Sequence, residues 1–168
     1  MRRGSDGFTL IELAVVLLVI AVSITIVFPK LDVDWVQRAR LRSTTNRIAN
    51  IAEYAHQRAA CARLTHLLNI DAAQGTYWVT SQTSEGKGVP ITDNLGLKGR
   101  LPEGVQFAEV ELLGTDTSSQ DVVMIRFNPQ GWADPAIVHL TCSTGDTMSV
   151  VIDELSGQVE TFELGEMN

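Results

Sequence analysis

Polar and apolar residues are distributed along this chain in three regimes. From Leu13 to Phe28 no residue is charged, and only Ser23 and Thr25 carry polar side chains. Phe8 to Phe28 makes 21 residues, which as a helix rising ~1.5 Å per residue spans ~30 Å, the thickness of a bilayer core. After Pro29 the pattern becomes amphipathic. Leu41, Thr44, Ile48, Ala52, Ala55, Ala59 and Ala62 recur at three- and four-residue intervals, opposite Arg38, Arg42, Asn46, Arg47, Asn50, Gln57 and Arg58. That spacing predicts a second helical stretch with an alanine-rich buried stripe. Near Leu64 the period shortens toward two, as in strands.

The third regime predicts a hairpin, Leu64–Ile70 and Thr76–Thr80, across the turn Asp71–Gly75. Ser81 to Gly104 is rich in Gly, Ser, Thr, Asp and Pro and reads as a long loop. Strands are expected at Gln106–Leu113, Val122–Phe127, Ile137–Cys142, Met148–Asp153 and Gln158–Phe162. The expected fold is α+β: a long N-terminal helix, its first half transmembrane, packed on a C-terminal antiparallel β-sheet or β-sandwich head. A helix from Phe8 to about Ala62 would be roughly 80 Å long at 1.5 Å per residue. Pro29 would remove a backbone donor and can kink it.

Charge divides the chain at the same boundary. Residues 1–63 carry a net charge of +4 and residues 64–168 a net charge of −11. An acidic head repels phosphate backbones, so no nucleic-acid partner is expected there. The arginines at 38, 40, 42, 47, 58 and 63 could meet anionic lipid headgroups, an acidic neighbour or only solvent. Cys61 and Cys142 lack metal or CxxC spacing; one disulfide and two free thiols both fit. His56, His66 and His139 are scattered. Gly86, Gly88, Gly96 and Gly99 form no phosphate loop. Glu109 and Glu111 alternate with Val110, as on a solvated strand face. No enzyme activity and no metal or cofactor is expected.

Three readings compete for the N-terminus. A cleaved secretory signal fits Met1-Arg2-Arg3 and Leu13–Ile20, but no prompt small-x-small site follows. A plain anchor fits the length, and Arg2 and Arg3 favour a cytoplasmic N-terminus. Neither explains Glu12, a carboxylate at membrane depth that costs a few kcal/mol unless paired. The string Gly7-Phe8-Thr9-Leu10-Ile11-Glu12-Leu13, behind a short basic leader, resembles the processing signal of type IV pilins and type II secretion pseudopilins. The resemblance implies cleavage by a prepilin peptidase between Gly7 and Phe8 and N-methylation of Phe8. It also implies pairing of Glu12 with the N-terminal amine of an adjacent filament subunit.

Further along, Phe127-Asn128-Pro129-Gln130-Gly131 and Leu155-Ser156-Gly157-Gln158-Val159 resemble the domain shared by type II secretion protein H and the minor pilin FimT. No cluster resembles the calcium loop of the major pseudopilin. The resemblance implies a leader at 1–7, a transmembrane or filament-core helix at 8–29, an amphipathic helix at 30–63 and a periplasmic head at 64–168. It implies a minor pseudopilin of a type II secretion system, single-pass in the bacterial inner membrane with its C-terminal domain periplasmic, assembled into a periplasmic pseudopilus. Its partners would be the peptidase, other major and minor pseudopilins, the inner-membrane assembly platform and membrane lipid. The alternatives are a FimT-type minor pilin in pilus assembly or DNA uptake, and a membrane-anchored periplasmic enzyme or binding module.

Overall fold

The computed structural model describes residues 9–31, 33–82, 88–91, 98–113 and 122–163 and, within 25–33, the backbone alone. The chain forms two compact units, Met1–Val36 and Gln37–Asn168. The first holds helix α1, Leu10–Leu31, and the opening residues of helix α2, Val33–Ala62. The leader 1–7 and Phe8 lie outside the described residues, as does Asp32 between the two helices. Helix α1 continues through Pro29 to Leu31.

The second unit is built around the amphipathic part of α2. Leu41, Thr44, Thr45, Ile48, Ile51, Ala52, Ala55 and Ala59 are buried, the stripe that the three/four spacing predicts. Ala62 is an exception: it is exposed. The helix ends there, and Arg63 turns into the left-handed region at φ 54°, the conformation that commonly stops a helix.

Among the described residues nine strands follow: β1 His66–Asp71, β2 Thr76–Gln82, β3 Gly88–Pro90, β4 Gly99–Arg100, β5 Val105–Leu112, β6 Val123–Phe127, β7 Ala136–Cys142, β8 Thr147–Ile152 and β9 Val159–Glu163. They make two antiparallel sheets. One has the order β3-β2-β1-β6, with β4 also on β2; the other is β5-β7-β8-β9. The expected hairpin is β1–β2, with Asn69 opposite Trp78. In its turn Asp71 Oδ1 accepts from the Gln74 amide at 2.8 Å, and Gly75 adopts φ 61°, a conformation glycine reaches without Cβ strain.

Alternation sets the faces. Val123, Ile125 and Phe127 of β6 and Ala136, Val138, Leu140 and Cys142 of β7 are buried, as are Leu68, Ile70 and Val79 of the hairpin. All of these except Val123 join the apolar residues of the α2 stripe in a core cluster drawing on both sheets. Strand β5 carries a bulge between Phe107 and Glu109. Beyond it Glu109 is exposed and Glu111 half-buried.

The expected loop 81–104 contains two short strands. Strand β3 extends β2, with Thr80 opposite Pro90. Strand β4 is held by a contact rather than by propensity: a Cβ on Gly99 would stand 2.4 Å from the Tyr77 ring. Only glycine lets the backbone lie that close.

The outer edge of β6 is partly covered. The Asp134 amide donates to the Arg126 carbonyl at 2.8 Å, Asp134 Oδ2 accepts from the Arg126 amide at 3.2 Å, and the Asn128 amide donates to the Trp132 carbonyl at 2.9 Å.

Candidate functional site

At the N-terminus, Thr9 and Glu12 form one local device. Thr9 stands just before α1. Its Oγ1 accepts from the Glu12 amide at 3.3 Å, and its carbonyl accepts from the Leu13 amide at 3.2 Å. Thr9 is thus the N-cap, with Glu12 at the third helical position. Thr-x-x-Glu is the capping-box pattern, and a carboxylate in the first turn is favoured by the partial positive charge of the helix start. Beside the intermolecular partner expected for Glu12, the three-residue spacing to Thr9 thus gives it a local role. Gly7 and Phe8 lie outside the described residues.

Behind this cap, every described side chain from Thr9 to Ile24 is exposed. Eleven large apolar residues among them, Leu10 to Ile24, are between 45% and 88% exposed. At ~2 kcal/mol per buried side chain, leaving eleven in water forgoes about 20 kcal/mol. Such a surface requires a cover of lipid or protein. Among the described residues no helix is both long and apolar enough to cross a membrane. The expected segment 8–29 is described with side chains only as far as Ile24, short of the ~20 residues a span needs.

In the second unit the start of α2 is tied to two loops. Arg38 Nε donates to Asp146 Oδ2 at 2.9 Å in the β7–β8 turn, and Arg40 donates to the Glu103 carbonyl at 3.2 Å. Gln37 packs against Gly104, where a Cβ would meet its Oε1 at 2.4 Å. The Thr144 hydroxyl and Arg38 together hold the Asp146 carboxyl below the usual aspartate range.

Farther along α2, His56 joins the two segments that carried the head-domain resemblance. Its Nε2 donates to the Gly131 carbonyl at 3.0 Å, and its ring lies 6.2 Å from that of Phe127. Gly157, at φ 63°, packs against the same ring; a Cβ there would stand 2.5 Å from Nε2. The Ala133 amide also donates to the Glu154 carbonyl at 3.0 Å. Phe127–Gly131 and Leu155–Gly157 therefore converge on one helix side chain. Nothing in their separate positions along the chain announces this.

The remaining candidate chemistry stays dispersed. His66 is buried in β1 and donates from Nδ1 to the Leu64 carbonyl at 2.9 Å; His139 pairs with Ser149 Oγ at 2.7 Å. Among the described residues no group of three or more His, Cys, Asp or Glu side chains could hold a metal ion. Both thiols are free: Cys61 is exposed on α2, while Cys142 is buried with its Sγ 2.9 Å from Thr144 Oγ1. A groove of about 670 Å³ on the first sheet, lined by Leu67, Asn69, Leu113, Met124 and Arg126 among others, contains no His or Cys.

A capped apolar N-terminal helix ahead of a helix-backed, two-sheet head is a pilin-like architecture, and comparisons with known proteins bear on which kind. Residues 2–28 match the family described as the prokaryotic N-terminal methylation motif. No curated protein matches the chain in sequence. Among solved structures, the chain is similar to the minor pseudopilin EpsH from the type 2 secretion system of Vibrio cholerae. One EpsH structure matches at TM-score 0.65, with 13% identity over 77% of this chain and 98% of that one. A second matches at 0.62, with 14% identity over 76% and 99%. The solution structure of E. coli GspH matches at 0.56, with 13% identity over 77% and 92%. The fold is thus that of the minor pseudopilins EpsH and GspH.

Proposed function

We propose that this chain is a minor pseudopilin of a bacterial type II secretion system. A prepilin peptidase removes residues 1–7, Phe8 is N-methylated, and the segment from Phe8 to Phe28 anchors the chain in the inner membrane with its head in the periplasm. Extraction into a short filament then moves the apolar helix from lipid to a core formed by other pseudopilins. The observation that carries this reading is α1 itself: a capped helix directly behind Gly7-Phe8 whose described side chains, Leu10 to Ile24, are nearly all apolar and all exposed. Both environments supply the missing cover. Cleavage at Gly7 would create an amine at Phe8, and Glu12 offers a carboxylate for such an amine on a neighbouring subunit. The likeness of the head to EpsH and GspH supports secretion as the setting.

Two measurements test the proposal. Intact mass of the membrane-extracted protein is expected to correspond to a chain starting at methylated Phe8; a chain retaining Met1 overturns the processing. Glu12→Ala is expected to leave membrane insertion unchanged and to reduce filament assembly and secretion at least ten-fold. Normal secretion by that variant removes Glu12 from the mechanism.

The DNA-uptake alternative draws on the arginine-rich α2. The acidic head opposes it. Tight, salt-sensitive duplex binding in a gel-shift experiment would favour that alternative.

A further inference from the structure

The head is strongly acidic, yet its described basic residues, Lys98, Arg100 and Arg126, gather on one surface, the outer face of the first sheet. Strand geometry fixes this. Leu68, Ile70, Val79 and Ile125 enter the core, so their neighbours Leu67, Asn69, Trp78, Thr80, Met124 and Arg126 point the other way. Asn69 stands opposite Trp78 and Met124, and Leu67 opposite Thr80 and Arg126. Arg100 stands opposite Thr76 and therefore on the same face. Lys98 Nζ lies 5.0 Å from the centre of the Trp78 ring.

Between these bases the face is apolar and open. Its groove of about 670 Å³ is lined by Leu67, Leu113 and Met124; Met124 is 48% and Leu113 54% exposed. Exposed apolar side chains gathered in a groove mark a contact surface. The acids that share the face are already engaged. Asp71 Oδ1 accepts from the Gln74 amide in the hairpin turn, and Asp134 Oδ2 accepts from the Arg126 amide and lies 3.6 Å from Arg126 Nε. Opposite Arg100, the Thr76 hydroxyl is buried with no hydrogen-bond partner among the described residues, an open donor that suits an incoming carbonyl or carboxylate.

The spacing of the charges specifies what fits. From Arg100 to Arg126 the sheet crosses three inter-strand steps of ~4.8 Å and four residues of ~3.3 Å, so the two positions stand about 20 Å apart. An extended segment covers that length in roughly six residues. Charges in physiological salt are screened over ~8 Å, so a short acidic segment answers to these local cations and not to the net charge of the head. A nucleic-acid duplex, with a charge every ~1.7 Å along its axis, would run beyond them onto acidic surface.

We propose that the outer face of the first sheet docks an extended segment of a different pilin-like subunit, with acids roughly six positions apart meeting Arg100 and Arg126 and apolar residues between them meeting Leu67 and Met124. The source of the segment rests on the minor-subunit reading, in which the filament neighbours are other pseudopilins and not copies of this chain.

Photocrosslinking of the full-length chain in the membranes of its own cells tests it. Benzoylphenylalanine replaces Met124, and the adduct is identified by mass spectrometry. The expected adduct is a different chain with a prepilin-type N-terminus, joined through a segment of the stated pattern. K98E/R100E is expected to reduce that adduct at least ten-fold, because like charges then face each other, with unchanged thermal unfolding. K98Q/R100Q should act in the same direction by a smaller factor, and lysines in place of the partner's acids should restore the adduct to K98E/R100E.

An adduct with a second copy of this chain, an exported protein, lipid or nucleic acid overturns the proposal. So does an adduct indifferent to both double variants, or none at all. The two readings fail separately. A partner that belongs to a pilus supports the docking surface and overturns the secretion setting. A chain cut at Gly7 and active in secretion that gives no such adduct overturns the surface and leaves the secretion reading in place.

Discussion

At the scale of single residues, the head depends on places where a side chain must be missing. Gly157 combines a positive φ with contact against His56, whereas Gly145, at φ 88°, faces open space. Alanine at Gly145 meets only the conformational cost, ~1–2 kcal/mol. Alanine at Gly157 meets that cost and must also displace the imidazole. Denaturant unfolding is expected to give a larger loss for Gly157→Ala than for Gly145→Ala, and His56→Ala in the same chain should remove the difference. If the two alanine variants are equally destabilised, the close approach has no energetic weight. The Leu155-Ser156-Gly157 string is readable in sequence as a turn. Its need for glycine comes from a histidine about a hundred positions earlier, and no local pattern encodes that. Thr9 is the opposite case: the three-residue spacing of Thr9 and Glu12 encodes the cap locally.

At the scale of elements, α2 is held by close packing along its middle and by polar ties at its start. Ala52, Ala55 and Ala59 are fully buried against the sheets. Their small size sets how near the helix lies, so Ala55→Leu should overpack the core and cost ~1–3 kcal/mol, read as a lower denaturant midpoint. The ties predict a pH effect. The Asp146 carboxyl, hydrogen-bonded by Thr144 and paired with Arg38, titrates lower in the folded chain than in the unfolded one. Its contribution is therefore present above the ordinary aspartate value, about 3.9, and is lost as pH falls through the depressed folded value. Between neutral pH and pH ~3, the unfolding midpoint of wild type should fall further than that of Asp146→Asn. Equal falls would leave the ion pair without a role in stability.

The buried stripe of α2 and the major strands were legible because each follows one period for several turns or residues. Strands β3 and β4 were not. They are two or three residues long, lie in a Gly- and Pro-rich stretch, and owe their place to β2 and to the ring of Tyr77.

At the scale of the whole molecule, two units meet different requirements. The head buries most of its described apolar residues by itself; α1 exposes every described side chain from Leu10 to Ile24. That division was legible from hydropathy and charge, and it carries the processing and assembly predictions made for Gly7, Phe8 and Glu12. The convergence on His56 needed the fold, because it joins residues distant in the chain.

The strand order of the first sheet has a further consequence, in time rather than in space. Strand β1 lies between β2, its immediate successor, and β6, whose last residue is Phe127. The hairpin can form as soon as residue 82 is available, whereas the central strand gains its second neighbour only after a long-range closure. Such non-local pairing is slow. The apolar stripe of α2, made first in an N- to C-terminal synthesis, must therefore wait for the surface that buries it. The slowest step in making this head is expected to be the arrival of β6, and variants in that strand should retard folding more than variants in the hairpin turn.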